Sequence, residues 1–419
     1  MGDAAVIGAG VVGLAVAQRL RERGEVVTVF EAAGEPDGRT EPWTLGDPVW
    51  DRHQDVILPT DSRTMVLLRS LGLDREIRWS PASWGFYGGP QVGLRPLSTA
   101  RDLVRLPMLG ALDKVRLATS LAGARWATSE ALEGRSARSW LLGRDGRRTF
   151  ERFWRPLLEA RLGGEWRYAS ASFVAASMGR VHAMRGAGRV GLPAGGYGRL
   201  LDRFASSIGD AGVKIDYGTP VVSVRPTGRG LEVDLDDGVA TFDRVVVTTS
   251  APRAADLCPE VSPVELDRLR SVRYVGVVTA SLVLPRRLSP FFQTFVGDST
   301  APLGSIVETT PLGDRQDAVV HLSAYAAAED RLFDEPDAEV MAGLLDHLRV
   351  IHPHFDEDEV VAGRVARARH AVAVPTLGYS RSMPRTTTTI PGLQLIGSAN
   401  LPTGSADVNA TLGLLEELR

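Results

Sequence analysis

Three glycines near the N-terminus constrain the fold of this chain more than any other feature. Gly8, Gly10 and Gly13 form a Gly-x-Gly-x-x-Gly pattern that follows the short apolar run Ala4–Ile7 and precedes apolar residues at helical spacing. This order predicts a buried strand, a tight turn and a helix. A second apolar run, Val26–Phe30, predicts a parallel strand that completes a β-α-β unit.

Each residue of this pattern has a physical role if the unit binds a dinucleotide. Gly8 permits the tight turn, Gly10 lets the backbone approach a pyrophosphate, and Gly13 lets helix and strand pack closely. The free N–H groups at the helix start, where Val12 lies, attract phosphates together with the helix dipole. Glu31 follows the second strand at the distance where a carboxylate accepts the ribose hydroxyls. The unit therefore predicts a dinucleotide site on a doubly wound, mostly parallel α/β sheet.

The residues after Glu31 favour FAD as the dinucleotide. The stretch from Glu31 to Thr40 contains Gly38 and Arg39 and resembles the flavin amine oxidase superfamily, which includes monoamine oxidases, protoporphyrinogen oxidases and phytoene desaturases. In that superfamily Gly-Gly-Arg follows the acid, with the arginine near the FAD phosphates. Here Asp37 replaces the first glycine and places a side chain where the superfamily has none. The resemblance implies that Gly38 and Arg39 contact FAD.

A central group of segments resembles the middle of the same superfamily. A glycine pair precedes a predicted helix over 200–211, and strand-like runs follow at 213–217, 220–225, 231–235 and 244–248. The resemblance implies that Val221 places its backbone beside adenine and that Thr248 ends a strand near the cofactor. A purely structural role for Val221 in the sheet core remains open.

The C-terminal segment carries a further match. A predicted strand runs into a loop with Gly397 and Asn400, and a final helix begins with Asp407 or Asn409 as its N-cap. In the superfamily this strand carries a Gly-Asp or Gly-Asn pair near FAD, and the following helix points its N-terminus at the flavin. The resemblance adds Gly397, Asn400, Asp407, Val408 and Asn409 to the candidate FAD contacts. A helix N-terminus stabilises a negatively charged reduced flavin by about 1 kcal/mol.

Few side chains need to act chemically, because a flavin carries out the redox step itself. His53 and Asp55 lie where superfamily members place residues that face the flavin, so they are candidates for proton handling. Tyr379 lies in a region that contributes to the substrate pocket of relatives. Alternatively, His53 is a hydrogen-bonded structural residue and Tyr379 anchors a loop. The sequence shows no plausible set of three metal ligands and no nucleophile-histidine pair.

These segments predict two interleaved lobes. Residues 1–80, 187–266 and 364–419 are expected to form a Rossmann-type FAD-binding lobe, and residues 81–186 and 267–363 an α+β substrate-binding lobe. The pocket is expected between them. The sole cysteine, Cys258, is not placed near the C-terminal motif through which some amine oxidases bind FAD covalently. We therefore expect non-covalent FAD, and a single cysteine also fits a reducing cytoplasm.

Together these features predict an FAD-dependent oxidoreductase. We expect it to dehydrogenate a C–N or C–C bond of a small or mid-sized organic substrate by hydride transfer to flavin N5, with O₂ or another acceptor reoxidising the flavin. The net charge of −3 gives no reason to expect nucleic-acid binding. Two alternatives stay open: a flavin-dependent isomerase or mutase, and a non-catalytic binding protein similar to GDP-dissociation inhibitors.

The segment Arg101–Ala127 interleaves leucines with basic residues. A basic amphipathic helix of this kind can lie on an anionic membrane, although such helices more commonly cover their own core. No secretory signal or membrane span is predicted. We expect a cytoplasmic protein in which this segment roofs the substrate cavity.

Overall fold

The computed structural model describes residues 2–36, 42–44, 49–51, 56–123, 129–298, 300–309, 318–404 and 407–418. The strands in these ranges are β1 (Asp3–Ile7), β2 (Val26–Phe30), β3 (Pro42–Thr44), β4 (Val49–Asp51), β5 (Ile77–Pro81), β6 (Trp84–Tyr87), β7 (Leu94–Pro96), β8 (Arg189–Pro193), β9 (Lys214–Asp216), β10 (Val221–Thr227), β11 (Gly230–Leu235), β12 (Gly238–Phe242), β13 (Arg244–Val247), β14 (Tyr274–Leu284), β15 (Gln293–Val296), β16 (Ser305–Thr309), β17 (Ala318–Ala327), β18 (Ala362–Ala373) and β19 (Leu393–Leu395). The α-helices are α1 (Val11–Glu22), α2 (Ser62–Ser70), α3 (Ala100–Val104), α4 (Ala111–Gly123), α5 (Ser129–Glu133), α6 (Ala137–Thr149), α7 (Arg155–Leu162), α8 (Ala171–Ala187), α9 (Gly196–Asp210), α10 (Ala251–Leu257), α11 (Pro263–Arg270), α12 (Asp337–Ile351), α13 (Tyr379–Ser382) and α14 (Val408–Gly413).

A five-stranded parallel sheet contains the β-α-β unit that the sequence predicts. Its strand order is β19-β13-β1-β2-β9. Alternate residues of β1 enter different cores, because successive side chains of a strand point to opposite faces. Ala4 and Val6 pack with α1, α9 and α14, whereas Ala5 and Ile7 pack with α10 and the three-stranded sheet β10-β11-β12. The mixed α/β fold with a parallel sheet is confirmed.

A seven-stranded sheet has the order β18-β14-β17-β16-β15-β6-β7, and its pairs are antiparallel except for β15 with β6. One face is apolar and packs against α12 through residues such as Leu322 and Leu348. The opposite face contacts the helical core built from α3 to α8, with Tyr325 and Phe295 at its margin. We call this second face, which contacts the core of α3 to α8 rather than α12, the helix-facing side of the sheet.

β18 crosses one of the domain boundaries that the sequence suggests. The proposed boundary lies between residues 363 and 364, but the strand runs Ala362–Ala373 and pairs with β14 along most of its length. The strand alternates apolar residues with Arg364 and Arg367, both at least partly exposed, so it carries no continuous apolar run. We therefore move this boundary beyond Ala373.

The basic amphipathic segment packs on its own lobe. In α3, α4 and the turn between them, Leu103, Leu106, Leu109 and Leu117 are buried in the helical core. Val104, Leu112 and Val115 are exposed. No helix in the described part of the chain is long and apolar enough to cross a membrane.

Candidate cofactor and substrate sites

The turn between β1 and α1 accepts only glycine at two of its positions. Gly8 has a φ of +104°, and a Cβ added there would lie 2.9 Å from Thr248 Oγ1. A Cβ on Gly13 would lie 1.8 Å from the carbonyl oxygen of Gly8. Thr248 Oγ1 donates to the Ile7 carbonyl at 2.8 Å and so joins the turn to the end of β13. The sequence patterns around Gly8 and Thr248 thus meet in one place.

The start of α1 is open to an anionic ligand. Its N-cap is Gly10, which provides no side-chain hydrogen bond to the first turn. The N–H groups of this first turn have no partner within the helix, and the helix dipole gives them a partial positive charge. Val12 packs against the apolar core below, so it is the backbone here that can contact a phosphate.

The Glu31 carboxylate is buried and fixed at the end of β2. Its Oε2 accepts from the backbone N–H of Ala9 at 2.6 Å, and its Oε1 accepts from that of Ala33 at 3.0 Å. Each carboxylate oxygen has a further lone pair for another donor. Glu31 is therefore held beside the glycine turn and can still accept hydroxyl groups of a ligand.

A cavity of about 290 Å³ adjoins these groups. Five of the predicted residues line it, namely Gly8, Gly10, Glu31, Val221 and Thr248. Sequence reasoning missed Thr219, Arg253 and Leu257, which also line it. The Arg253 guanidinium donates to the Val221 carbonyl at 3.1 Å. The one available signal for Arg253 was its position early in a helix after a strand that ends at the site.

The C-terminal loop is held by its own polar groups. Asn400 is buried; its Oδ1 accepts from the Gly397 N–H at 2.8 Å, and its Nδ2 donates to the Pro384 carbonyl at 2.9 Å. A Cβ on Gly397 would lie 2.9 Å from the Thr249 carbonyl, and Thr249 lines the cavity. Asn400 therefore shapes the loop, and Gly397 lets it approach the end of β13.

Two candidates in the last helix are caps, but of different helices. Asp407 is the N-cap of α14, and its Oδ1 accepts from the Ala410 N–H at 2.9 Å. The Asn409 side chain instead accepts from the backbone N–H of Arg63 at 2.9 Å, at the start of α2. Val408 is buried in the core. Asn409 thus ties α14 to α2.

An arginine of α8 joins this region to the rest of the chain. Arg180 forms an ion pair with buried Asp61, the N-cap of α2, and its Nη2 lies 2.9 Å from Asp61 Oδ2. Its Nε also lies 3.9 Å from Asp407 Oδ2. The starts of α2 and α14 therefore share one cationic partner, which sequence spacing gave no means of finding.

Tyr379 has the geometry of a loop anchor. It is buried, and its hydroxyl donates to the Ala399 carbonyl at 2.7 Å. Burial, with a smaller contribution from Tyr274, raises the pKa of this phenol above its usual range. Its hydroxyl is therefore engaged with the backbone. The remaining candidates, His53, Asp55, Gly38 and Arg39, lie outside the described residues.

The residues of the cavity fit an FAD molecule. A pyrophosphate requires a backbone with no room for Cβ atoms and an open helix start. The adjacent ribose requires a carboxylate with spare acceptor capacity. Among the described residues, no three His, Cys, Asp or Glu side chains are grouped to hold a metal ion. Fold and site together define a dinucleotide-binding protein of the doubly wound class.

A family model described as flavin containing amine oxidoreductase matches residues 12–404, and the chain belongs to that family. Its cofactor is FAD. Membership implies a small-molecule substrate and an electron acceptor. The predicted resemblance is thus confirmed at the level of family and cofactor.

Individual relatives are similar over a short segment or in fold alone. Mitochondrial protoporphyrinogen oxidase from Nicotiana tabacum is 40% identical over 79 residues, which are 19% of this chain and only 16% of that protein. A putative protoporphyrinogen oxidase from Exiguobacterium sp. 255-15 has a TM-score of 0.78 at 17% identity, over 100% of this chain and 98% of that one. Reduced UDP-galactopyranose mutase has a TM-score of 0.76 at 12% identity, over 100% and 96% of the two chains. The fold is therefore shared by an oxidase and a mutase and does not decide the reaction.

Proposed function

We propose that the chain is an FAD-dependent oxidoreductase that dehydrogenates a C–N or C–C bond of a small or mid-sized organic substrate. The observation that carries the proposal is the glycine turn and the Glu31 carboxylate on one cavity, in a member of a flavin oxidoreductase family. The bound FAD would supply the redox chemistry, as the hydride acceptor at N5 and as the electron donor to O₂ or another acceptor.

The chain's own residues bind and orient the cofactor. The first-turn N–H groups of α1 would hold the pyrophosphate, and the Glu31 carboxylate would accept hydrogen bonds from the ribose hydroxyls. The Val221 backbone would contact the adenine, and its carbonyl accepts a hydrogen bond from Arg253. We also assign phosphate contacts to Gly38 and Arg39, and proton handling beside the flavin ring to His53 and Asp55. Because the Tyr379 hydroxyl is bonded to the backbone, we assign it a structural role.

The state of Cys258 supports non-covalent binding. This residue, the sole cysteine of the chain, is fully buried after the end of α10. Burial raises the pKa of its thiol to about 12, so the reactive thiolate is scarce at neutral pH. It follows Leu257, which lines the cavity close to Val221 and Glu31. Cys258 therefore serves as a core residue.

Anaerobic mixing of the purified holoprotein with amines, tetrapyrroles and polyenes tests the reaction type. Loss of the visible flavin absorbance with one class would identify the substrate class, and readmitted O₂ would restore the colour if O₂ is the acceptor. A reaction that rearranges its substrate and yields neither hydrogen peroxide nor a reduced external acceptor would instead establish an isomerase. A colourless protein that takes up no FAD on reconstitution would support a binding module.

Paired variants test the proton-handling assignment. His53→Gln and Asp55→Asn should lower the rate of flavin reduction while FAD content stays unchanged. Tyr379→Phe is the matched comparison, because it removes one hydroxyl that is bonded to the backbone. It should reduce thermal stability and leave the reduction rate near that of the wild type. Unchanged reduction rates in both the His53 and Asp55 variants would overturn the assignment.

A further inference from the structure

Arg161, near the end of α7, lies against the helix-facing side of the seven-stranded sheet. Its Nη1 donates to the Tyr325 hydroxyl at 2.5 Å and lies 3.4 Å from Ser305 Oγ. The guanidinium carbon stands 4.4 Å from the centre of the Tyr325 ring. One nitrogen and one face of the guanidinium group are therefore engaged by neutral partners.

The charge of Arg161 is not balanced by an ion pair with any carboxylate among the described residues. Arg273 differs in this respect, because its Nη1 contacts both oxygens of Glu165, at 3.0 and 2.9 Å. The Nε and Nη2 of Arg161 donate to no described group. These two nitrogens form the edge of a guanidinium that binds a carboxylate through two parallel hydrogen bonds.

Two close backbone approaches hold this arginine in place. A Cβ on Gly304, just before β16, would lie 2.1 Å from the Ala160 carbonyl and 2.7 Å from the Tyr325 ring. Gly163, with a φ of +53°, ends α7, and a Cβ there would lie 3.2 Å from the Tyr325 carbonyl. The end of α7 is thus packed tightly against β16 and β17. A ligand that binds here therefore causes little further loss of conformational entropy in the protein.

The surface beside Arg161 is polar although it belongs to a sheet core. Ser305 and Thr279 each pair in register with Ser323, so the three hydroxyls share one face, and all three residues are buried. Arg161 and Tyr325 are only partly buried and therefore remain accessible to a small solute. Thr279 Oγ1 and Ser323 Oγ lie 3.3 Å apart, and Ser305 Oγ lies 3.4 Å from the Tyr325 hydroxyl, so these hydroxyls are hydrogen-bonded within the protein. The surface around the guanidinium of Arg161 is therefore polar, and its own free edge is the group that can bind a ligand.

We propose that Arg161, Tyr325 and Ser305 form an oxyanion subsite that binds a carboxylate group of the substrate. The inference rests on the proposed function, because it places the substrate on the helix-facing side of this sheet. The free Nε–Nη2 edge pairs with the two carboxylate oxygens, while Tyr325 and Ser305 fix the orientation of the guanidinium. The substrate class is accordingly an organic acid that bears the oxidisable C–N or C–C bond at a distance from its carboxylate.

Calorimetric titration of the holoprotein with benzoate tests the subsite, with benzamide as the uncharged ligand of nearly the same shape. The variants are Arg161→Gln, which removes the charge, and Arg161→Lys, which keeps the charge but loses the two-bond edge. Arg167→Gln is the matched control, because Arg167 also lies over an aromatic ring, that of Trp166, but is exposed. FAD content and thermal midpoint are measured for each variant to show that it is folded.

Benzoate should bind the wild type and Arg167→Gln equally, at least tenfold more tightly than benzamide. Its Kd should rise at least tenfold in Arg161→Gln and by a smaller factor in Arg161→Lys. Equal benzoate binding by wild type and Arg161→Gln, or no preference of the wild type for benzoate over benzamide, would overturn the subsite.

The failure of the subsite and the failure of the proposed function give different results. If benzoate binding depends on Arg161 but no compound reduces the flavin, the subsite stands and the oxidoreductase proposal fails. If neutral amines reduce the flavin equally fast in wild type and Arg161→Gln, and benzoate binding is unaffected by the variant, the oxidoreductase stands and the subsite fails.

Discussion

The glycine turn at the cofactor cavity and the oxyanion subsite on the seven-stranded sheet are built in opposite ways. Gly8, Gly13 and Glu31 belong to a single β-α-β unit, and their roles follow from steric limits on the backbone. Arg161 meets Ser305 and Tyr325 across 144 and 164 residues of chain. A cofactor shared by many enzymes can be held by a local motif, whereas the group that would distinguish one substrate from another is assembled from distant segments.

This difference predicts different responses to substitution. At Gly13 an added methyl group meets backbone atoms of Gly8, which cannot move aside, and at Gly8 it meets the Thr248 hydroxyl in a backbone conformation that disfavours side chains. On the sheet face the polar groups can be exchanged with smaller steric consequences, and the cost depends on charge and hydrogen bonding. The variants below are ordered by the size of the effect expected from each region.

Gly13→Ala should have the largest effect. The new Cβ would lie 1.8 Å from the Gly8 carbonyl oxygen, so helix and strand must separate. We expect loss of bound FAD and a destabilisation on the order of 3 kcal/mol, the upper range for overpacked sites. The ratio of flavin to protein absorbance and the urea midpoint measure both effects.

Gly209→Ala is the matched control for that variant. Gly209 lies in α9, and an added Cβ would have no atom within 4 Å. Because alanine favours a helix over glycine, the change should stabilise the protein by up to about 1 kcal/mol and leave FAD bound. Retention of a full complement of FAD by Gly13→Ala would contradict the steric account of the turn.

Glu31→Gln should weaken FAD binding by roughly 1–3 kcal/mol, the cost of removing a charged hydrogen-bond acceptor. The amide can replace only one of the two oxygens that accept from Ala9 and Ala33. Exposed Glu35 gives the control variant Glu35→Gln, which should bind FAD as the wild type does. Fluorescence titration of the apoprotein with FAD gives the affinities; equal values for the two variants would exclude the ribose role.

The helix-facing side of the seven-stranded sheet should respond to pH instead. Burial lowers the pKa of His321 from its ordinary 6.5 to about 4, and its Nδ1 is 2.8 Å from Ser281 Oγ. As pH falls below 6.5, the unfolded chain takes up a proton at this residue that the folded chain does not, so stability falls. At pH 5 the loss is about 2 kcal/mol.

His321→Gln should remove this part of the pH dependence. Urea unfolding of wild type and variant at pH 7 and pH 5 should show a loss smaller by about 2 kcal/mol in the variant. His354→Gln, at an exposed position, should behave as the wild type does. An identical loss of stability in His321→Gln and wild type would show that the histidine does not stay neutral in the folded protein.

Asn409→Ala should have the smallest effect. It tests whether Asn409 caps the start of α2 or contacts FAD. Its side chain accepts from the N–H groups of Arg63 and Thr64, so its loss should cost about 1 kcal/mol of stability. FAD affinity should remain unchanged. A tenfold weaker affinity for FAD with an unaltered thermal midpoint would instead make Asn409 a cofactor contact.

Local sequence patterns anticipated much of the fold. The apolar runs predicted β1 and β2 within two residues of their observed ends, and the helical spacing predicted α1 between them. The strands β15, β16 and β18 were missed. β18 carries several arginines, and β15 and β16 are short strands whose burial depends on distant partners in the sheet.

Some residues of the candidate site could be predicted from the sequence, and others could not. The glycines and Glu31 were found because their spacing is itself the physical requirement. Asn409 was assigned to the cofactor because it begins the final helix, yet its side chain caps a helix 346 residues earlier in the chain. Thr219 and Arg253 reach the cavity through the packing of other elements, which no local spacing records.

Acid precipitation of the purified protein, followed by spectroscopy of both fractions, tests the central claim of a cavity that binds FAD without a covalent bond. We predict that the supernatant contains one FAD per chain, as expected for a single nucleotide-binding unit, and that the pellet is colourless. Flavin retained in the pellet, or a protein that is colourless from the start and takes up no FAD on reconstitution, would contradict the claim.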